Sequence, residues 1–242
     1  MRDSVTVTYL QADGSRVCAS LSSLADSGAY GLQSVRRPRS YKGQRNFTGE
    51  WWSTTMGAQI AFESWVERDW LMVFDQAADV VEIVSQPFEL SIIADGRRVS
   101  HTPDFLVRQY GGGLLVVDVR PDERVDQHSA AVFAATATCC ADVGWDYQRV
   151  GTVDEIVAAN LRWLAGYRLP RCRDENVAAT AIAQLANGPM PIRVLARCLG
   201  AQMAVLPTVF HLIWIGAITA ATVDQQVLDL DSVVSAAGGD RT

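Results

Sequence analysis

Short apolar/polar alternations fill the first two thirds of the chain, and helical spacing fills the last third. Residues 5–10 and 16–20 alternate around Ala12-Asp13-Gly14-Ser15, which predicts a β-hairpin. A short helix is expected near 22–29. From Thr54 to Val73 the apolar positions recur every three or four residues, predicting a helix with Ser53 or Thr54 as N-cap. Phe62, Trp65 and Met72 mark one face of it, and Met56, Ile60, Glu63, Glu67 and Trp70 a second stripe. An acid on so apolar a stripe needs a partner, which singles out Glu63. Strands follow at 80–85 and 88–93, separated by Gln86-Pro87, and an Asp95-Gly96 turn feeds a strand carrying Asp104. A further strand carries Asp118, followed by a helix at 126–142, a strand at 145–150 and a helix at 153–164.

The expected fold is α/β: helix, three-stranded antiparallel meander, helix, strand. After the basic stretch 167–174 come helical segments at 175–186, 190–199 and 202–214, then short strands at 216–219 and 226–230. Three helices with a two-stranded ribbon predict a winged helix-turn-helix. The expected organisation is an N-terminal hairpin and basic arm (1–45), an α/β domain (46–166), a linker (167–174), a winged-helix domain (175–235) and a disordered tail (236–242).

The densest chemistry lies between His101 and Arg120. Two β-rich arms flank Tyr110-Gly111-Gly112-Gly113, and Asp104 and Asp118 each stand seven residues from Gly111. A turn centred there sets the two carboxylates opposite each other, with Cβ atoms about 5 Å apart. Like charges so close repel unless a cation sits between them. Arg120 follows Asp118 by two and shares its strand face. Two acids and a base on one face suit a divalent-metal site for phosphodiester chemistry.

The formal net charge of −6 argues against a surface that is basic throughout. Arg36, Arg37, Arg39, Lys42 and Arg45 form a local acid-free run, read equally as a phosphate-contacting arm or as a solvated linker. Lys42 is the only lysine among 21 basic residues. The 5 cysteines (Cys18, Cys139, Cys140, Cys172 and Cys198) have no CxxC spacing, so reduced structural thiols in a cytoplasmic protein are expected. No apolar run reaches a membrane span, and Met1-Arg2-Asp3-Ser4 lacks a signal-peptide core.

Glu63, Pro103-Asp104 and Asp118-Val119-Arg120 together resemble the PD-(D/E)xK nuclease superfamily. The surrounding residues narrow this. Phe62-Glu-Ser-Trp-Val-Glu-Arg-Asp69, Gln86-Pro-Phe88, His101-Thr-Pro-Asp-Phe105, Val117-Asp-Val-Arg-Pro121, Gly144-Trp145 and Asn160-Leu-Arg-Trp-Leu164 are similar to the TnsA-type endonuclease subunit of heteromeric transposases. The resemblance covers about 45–170. It implies a Mg2+-dependent DNA endonuclease (Mn2+ substituting) that nicks double-stranded DNA at the 5′ ends of a mobile element in the bacterial nucleoid. Its implied partners are an integrase-like transposase subunit and an AAA+ ATPase regulator, with no membrane. Glu63, Asp104 and Asp118 match the metal-binding acids, with the Val119 carbonyl as a further ligand.

Arg120 stands where that family has a lysine. Arginine stays protonated and cannot act as a base, but it can align water and screen phosphate charge. The alternatives are a stand-alone repair or restriction nuclease and a catalytically weak assembly factor with a nuclease fold. Periodicity alone lets Glu67 substitute for Glu63, but it reads first as a surface ion-pair partner, and His101 as a phosphate contact or, more simply, a brace for the Thr102-Pro103 turn. The helix Gln202–Trp214 carries no Arg or Lys, which favours protein docking over base reading, with Arg193 and Arg197 on the preceding helix as the strong cations.

Overall fold

The structure, a computed structural model, describes residues 5–36 and 47–237. The chain divides into two compact units, Met1–Thr152 and Val153–Thr242.

The first unit opens with the expected hairpin, β1 (Thr6–Leu10) and β2 (Arg16–Ser20), and a short helix α1 (Leu21–Asp26) capped by Ser20. The helix expected from Thr54 begins a decade later. Residues 49–62 instead form a hairpin, β3 (Gly49–Ser53) and β4 (Ala58–Phe62), and helix α2 spans Trp65–Gln76. Two local networks override the helical spacing. At the N-terminus of α2 the Ser64 hydroxyl accepts from the Glu67 amide at 3.2 Å, while the Glu67 carboxylate accepts from the Glu63 amide at 2.7 Å and from the Ser64 hydroxyl at 2.8 Å. This is a variant of the capping box, with the Glu67 carboxylate taking the amide one residue before the N-cap, and it fixes the start at Trp65. At the other end, buried Asp75 accepts from Trp51 Nε1 at 3.0 Å, Ser53 Oγ at 2.6 Å and the Thr55 amide at 2.9 Å. Those bonds hold 53–55 in a turn.

Next come β5 (Val80–Ser85), β6 (Phe88–Ala94), β7 (Arg97–His101), β8 (Phe105–Gln109), β9 (Leu114–Val119), α3 (Gln127–Asp142) and β10 (Asp146–Val150). One sheet has the order β2-β1-β6-β7 and the other β10-β9-β8-β5. Strands β5, β8 and β9 run antiparallel and β10 parallel to β9. The Asp95-Gly96 turn does not feed the Asp104 strand directly. Both residues have positive φ, which suits a tight hairpin, and the turn returns the chain as β7 against β6.

Strands β8 and β9 of the second sheet bury apolar side chains on both faces. Leu106, Leu114 and Val116 join a core with Val7, Phe88 and Leu90 of the first sheet and Cys140 of α3. On the opposite face Phe105 meets Phe74 of α2 edge-on, with ring centroids 5.9 Å apart. The Trp70 indole donates to the Gly151 carbonyl at 2.8 Å, tying α2 to the end of β10. Cys140 packs in the core, where burial pushes its thiol up to about 12.

The second unit holds α4 (Glu155–Leu164), α5 (Glu175–Leu185), α6 (Ile192–Leu199) and α7 (Gln202–Trp214). A small sheet has the order β11 (Met190–Pro191), β13 (Val233–Ala236), β12 (Ile218–Ala220). The strand expected at 226–230 is not formed. Buried Asn160 donates to the Val223 and Gln226 carbonyls and accepts from the Leu228 amide, which bends that stretch into turns. Helix α7 is the core of this unit, with Val205 and every residue from Thr208 to Trp214 buried. Arg193 on α6 pairs with Asp231. Among the described residues no helix is long and apolar enough to cross a membrane.

Candidate active site

The β8–β9 hairpin sets Phe105 opposite Val117, so one step further Asp104 stands opposite Asp118. Asp104 lies just before β8 rather than within it, and its Oδ2 accepts from the Val119 amide at 2.7 Å. Asp118 is 2% exposed. Alternation sets it on the face of Leu114 and Val116, where two donors take its carboxylate. His101 Nε2 lies 3.0 Å and 2.9 Å from the two oxygens, and the Tyr147 hydroxyl donates to Oδ2 at 2.8 Å. His101 therefore partners an acid, and its ring stands edge-on to Phe133. Burial and the neighbouring Asp118 charge push the Tyr147 phenol far up, which keeps it a neutral donor.

Glu67 joins these acids from α2. It is 8% exposed, not a surface ion-pair partner. Burial is the main cause that raises its carboxyl above the usual range, against the lowering effect of the Glu63 amide and the Ser64 hydroxyl. Asp104 is pushed well above the usual range, first by burial, then by the charges of Glu67 and Asp118. Glu63 contributes least among these acids. It precedes α2 and faces Arg36, whose Nη2 donates to Glu63 Oε2 at 3.0 Å.

The five predicted DNA contacts divide at this point. Arg36 is among the acids, and its Nε also donates to Gln86 Oε1 at 3.1 Å. Arg37, Arg39, Lys42 and Arg45 lie outside the described residues. Arg120 is exposed just beyond β9, with its amide bonded to the Val150 carbonyl at 2.8 Å and its carbonyl accepting from Arg149 Nη1 at 3.0 Å.

Sequence reasoning thus brought Asp104 and Asp118 together, ranked Glu67 below Glu63, gave Gln86 no contact of its own, missed Tyr147, and assigned His101 other work. Ser64-Trp-Val-Glu67 is a capping-box spacing, and that signal would have set the start of α2 and marked Glu67. Tyr147 reaches Asp118 only through the β9–β10 pairing, for which no local pattern exists. Among the described residues no group of three or more His, Cys, Asp or Glu side chains is arranged to hold a metal ion. The acids form a crowded, desolvated set whose ligands would have to converge. A cavity of about 540 Å3 opens elsewhere, between β4 and β5, and none of these acids lines it.

No curated protein matches the chain. The family model described as TnsA-like endonuclease N terminal matches residues 77–151, the stretch from the end of α2 through β10 that carries Asp104, Asp118 and Arg120. Across that stretch the chain is similar to TnsA-like endonucleases, and the match supports a nuclease of the TnsA type.

Proposed function

We propose that the first unit is a divalent-metal-dependent DNA endonuclease and that the chain is the 5′-end-nicking subunit of a heteromeric transposase. The observation that carries this reading is Asp104, a desolvated carboxyl crowded by Glu67 and Asp118. Such a cluster needs either protons or a cation. Its donors are all oxygens, which fits a hard ion such as Mg2+, with Mn2+ able to substitute. Asp104 and Asp118 would hold the ion, with Glu67 or Glu63 and the Val119 carbonyl as further ligands. The ion would supply Lewis-acid polarisation of the scissile phosphate. His101 and Tyr147 fix the rotamer of Asp118, and the Val119 amide fixes Asp104. Partners that orient a ligating carboxylate in this way support metal affinity.

The basic run Arg36–Arg45 would supply backbone contacts to double-stranded DNA. The second unit, read as a winged-helix-type module, would dock the integrase-like or AAA+ ATPase subunit, because α7 carries no Arg or Lys for base contacts. Such work belongs to the cytoplasm, at the nucleoid. The exposure of Arg120 favours one second reading, a nuclease-fold assembly factor without activity. Titration calorimetry with Mn2+ on the full chain separates the two. The nuclease reading expects saturable binding that Asp104→Asn abolishes. Absence of binding in the wild type, with DNA present, overturns it.

A further inference from the structure

The motif position two residues after Asp118 belongs to Arg120, yet another cation stands beside the acids. The Arg120 side chain is exposed, and its charge is felt at Asp126. That N-cap of α3 is held below the usual range chiefly by its Ser129 hydrogen bonds, with Arg120 a small contributor.

Arg36 is built in from two sides. Its Nη2 donates to Glu63 Oε2 at 3.0 Å, and the Glu63 amide in turn donates to Glu67 Oε2 at 2.7 Å. Arg36, Glu63 and Glu67 therefore form one chain of contacts. On the other side Arg36 Nε holds Gln86 Oε1, and the Gln86 amide donates to the Asp104 carbonyl at 2.8 Å. Gln86 is 3% exposed and has φ +46°, an uncommon conformation for a residue with a side chain. Backbone strain of that kind persists only where the surroundings over-determine it, and it clusters at functional sites. The Val35 amide donates to the Gln86 carbonyl at 2.9 Å, anchoring the chain next to Arg36. The Arg36 side chain nevertheless stays 55% exposed, so part of its donor fork faces solvent.

We propose that Arg36, not Arg120, is the cation of this acid site: it holds Glu63 in the resting protein and turns part of its guanidinium to the scissile phosphate when DNA binds. The proposal rests on the nuclease reading. Arg36 takes no proton. It offers fixed donors to the phosphoryl oxygens, for which a planar guanidinium is suited. The same position makes it a competitor of any metal ion that would use Glu63 or Glu67.

The test uses the full chain and four variants: Arg36→Ala, Arg36→Gln, Arg36→Lys and Arg120→Ala. Two readouts are Mn2+ titration calorimetry and nicking of supercoiled plasmid with Mg2+. Removing the Arg36 charge should lower nicking on the order of 10²-fold, the loss typical of one preorganised transition-state donor. It should also tighten Mn2+ binding severalfold. Arg36→Gln keeps hydrogen-bonding capacity without charge and covers the case in which Arg36→Ala does not fold. Arg36→Lys keeps the charge but cannot hold Glu63 and Gln86 with one planar fork, so it should restore only part of the nicking, and Arg120→Ala should shift neither readout. A wild type that cuts, with Arg36→Gln cutting equally fast or Arg120→Ala inert, overturns this inference alone. A wild type that neither binds Mn2+ nor cuts overturns the nuclease reading, and this inference with it.

Discussion

Replacing Asp104 by asparagine should stabilise the metal-free protein while disabling it, and the gain should depend on pH. Once ionised, Asp104 is opposed first by burial and then by the charges of Glu67 and Asp118; one like charge about 5 Å away costs roughly 3 kcal/mol at an effective dielectric constant near 20. Asparagine removes that term. It keeps an acceptor for the Val119 amide, now at 2.7 Å from Asp104 Oδ2, but loses about 1 kcal/mol of charge assistance. The net expectation is a gain of about 1–2 kcal/mol at pH 8. The sign of the pH dependence follows from the raised carboxyl of Asp104. Between the unfolded value near 4 and the higher folded value, the native state holds more protons than the unfolded chain, so wild-type stability falls as pH rises. Asparagine does not titrate. The advantage of Asp104→Asn should therefore be largest at pH 8 and vanish, or change sign, at pH 4. Urea denaturation in EDTA at the two pH values measures it. An Asp104→Asn protein less stable than wild type at pH 8, or an equal shift at both pH values, would refute the reasoning.

Three further expectations follow from buried contacts. Asp75→Ala removes the acceptor shared by the Trp51 indole, the Ser53 hydroxyl and the Thr55 amide, and should cost about 3 kcal/mol or more in urea denaturation without reaching the acids directly. Tyr147→Phe removes a donor to the buried Asp118 carboxylate and should cost roughly 1.5–3 kcal/mol, with a weaker Mn2+ titration as its second signature. Iodoacetamide at pH 8 should label exposed Cys18 and Cys198 on the native chain and spare Cys140, whose thiol burial pushes up to about 12; mass spectrometry of the labelled peptides reads this out.

What the sequence revealed was mostly local. The glycine turn and two β-rich arms were enough to set Asp104 across from Asp118, because hairpin register follows from turn position and side-chain alternation. The error at α2 arose because residues 54–62 alternate weakly enough to satisfy a helical count. Asp75, twenty residues downstream, decides the matter by binding Trp51, Ser53 and Thr55. The strand expected at 226–230 failed for the same kind of reason, since Asn160 captures that stretch from a distant helix. The environment of Asp118 was also out of reach. His101 and Tyr147 arrive on β7 and β10, which belong to different sheets. Arg36 read as part of a basic run, and only the fold brings it between Glu63 and Gln86.

Conversion of supercoiled plasmid to open circle by the full chain tests the proposed metal-dependent endonuclease most directly. Wild type with Mg2+ or Mn2+ should nick, EDTA should stop it, and Asp104→Asn should fall to background while remaining folded. Nicking that persists in EDTA, or an Asp104→Asn protein that cuts as fast as wild type, would contradict the account.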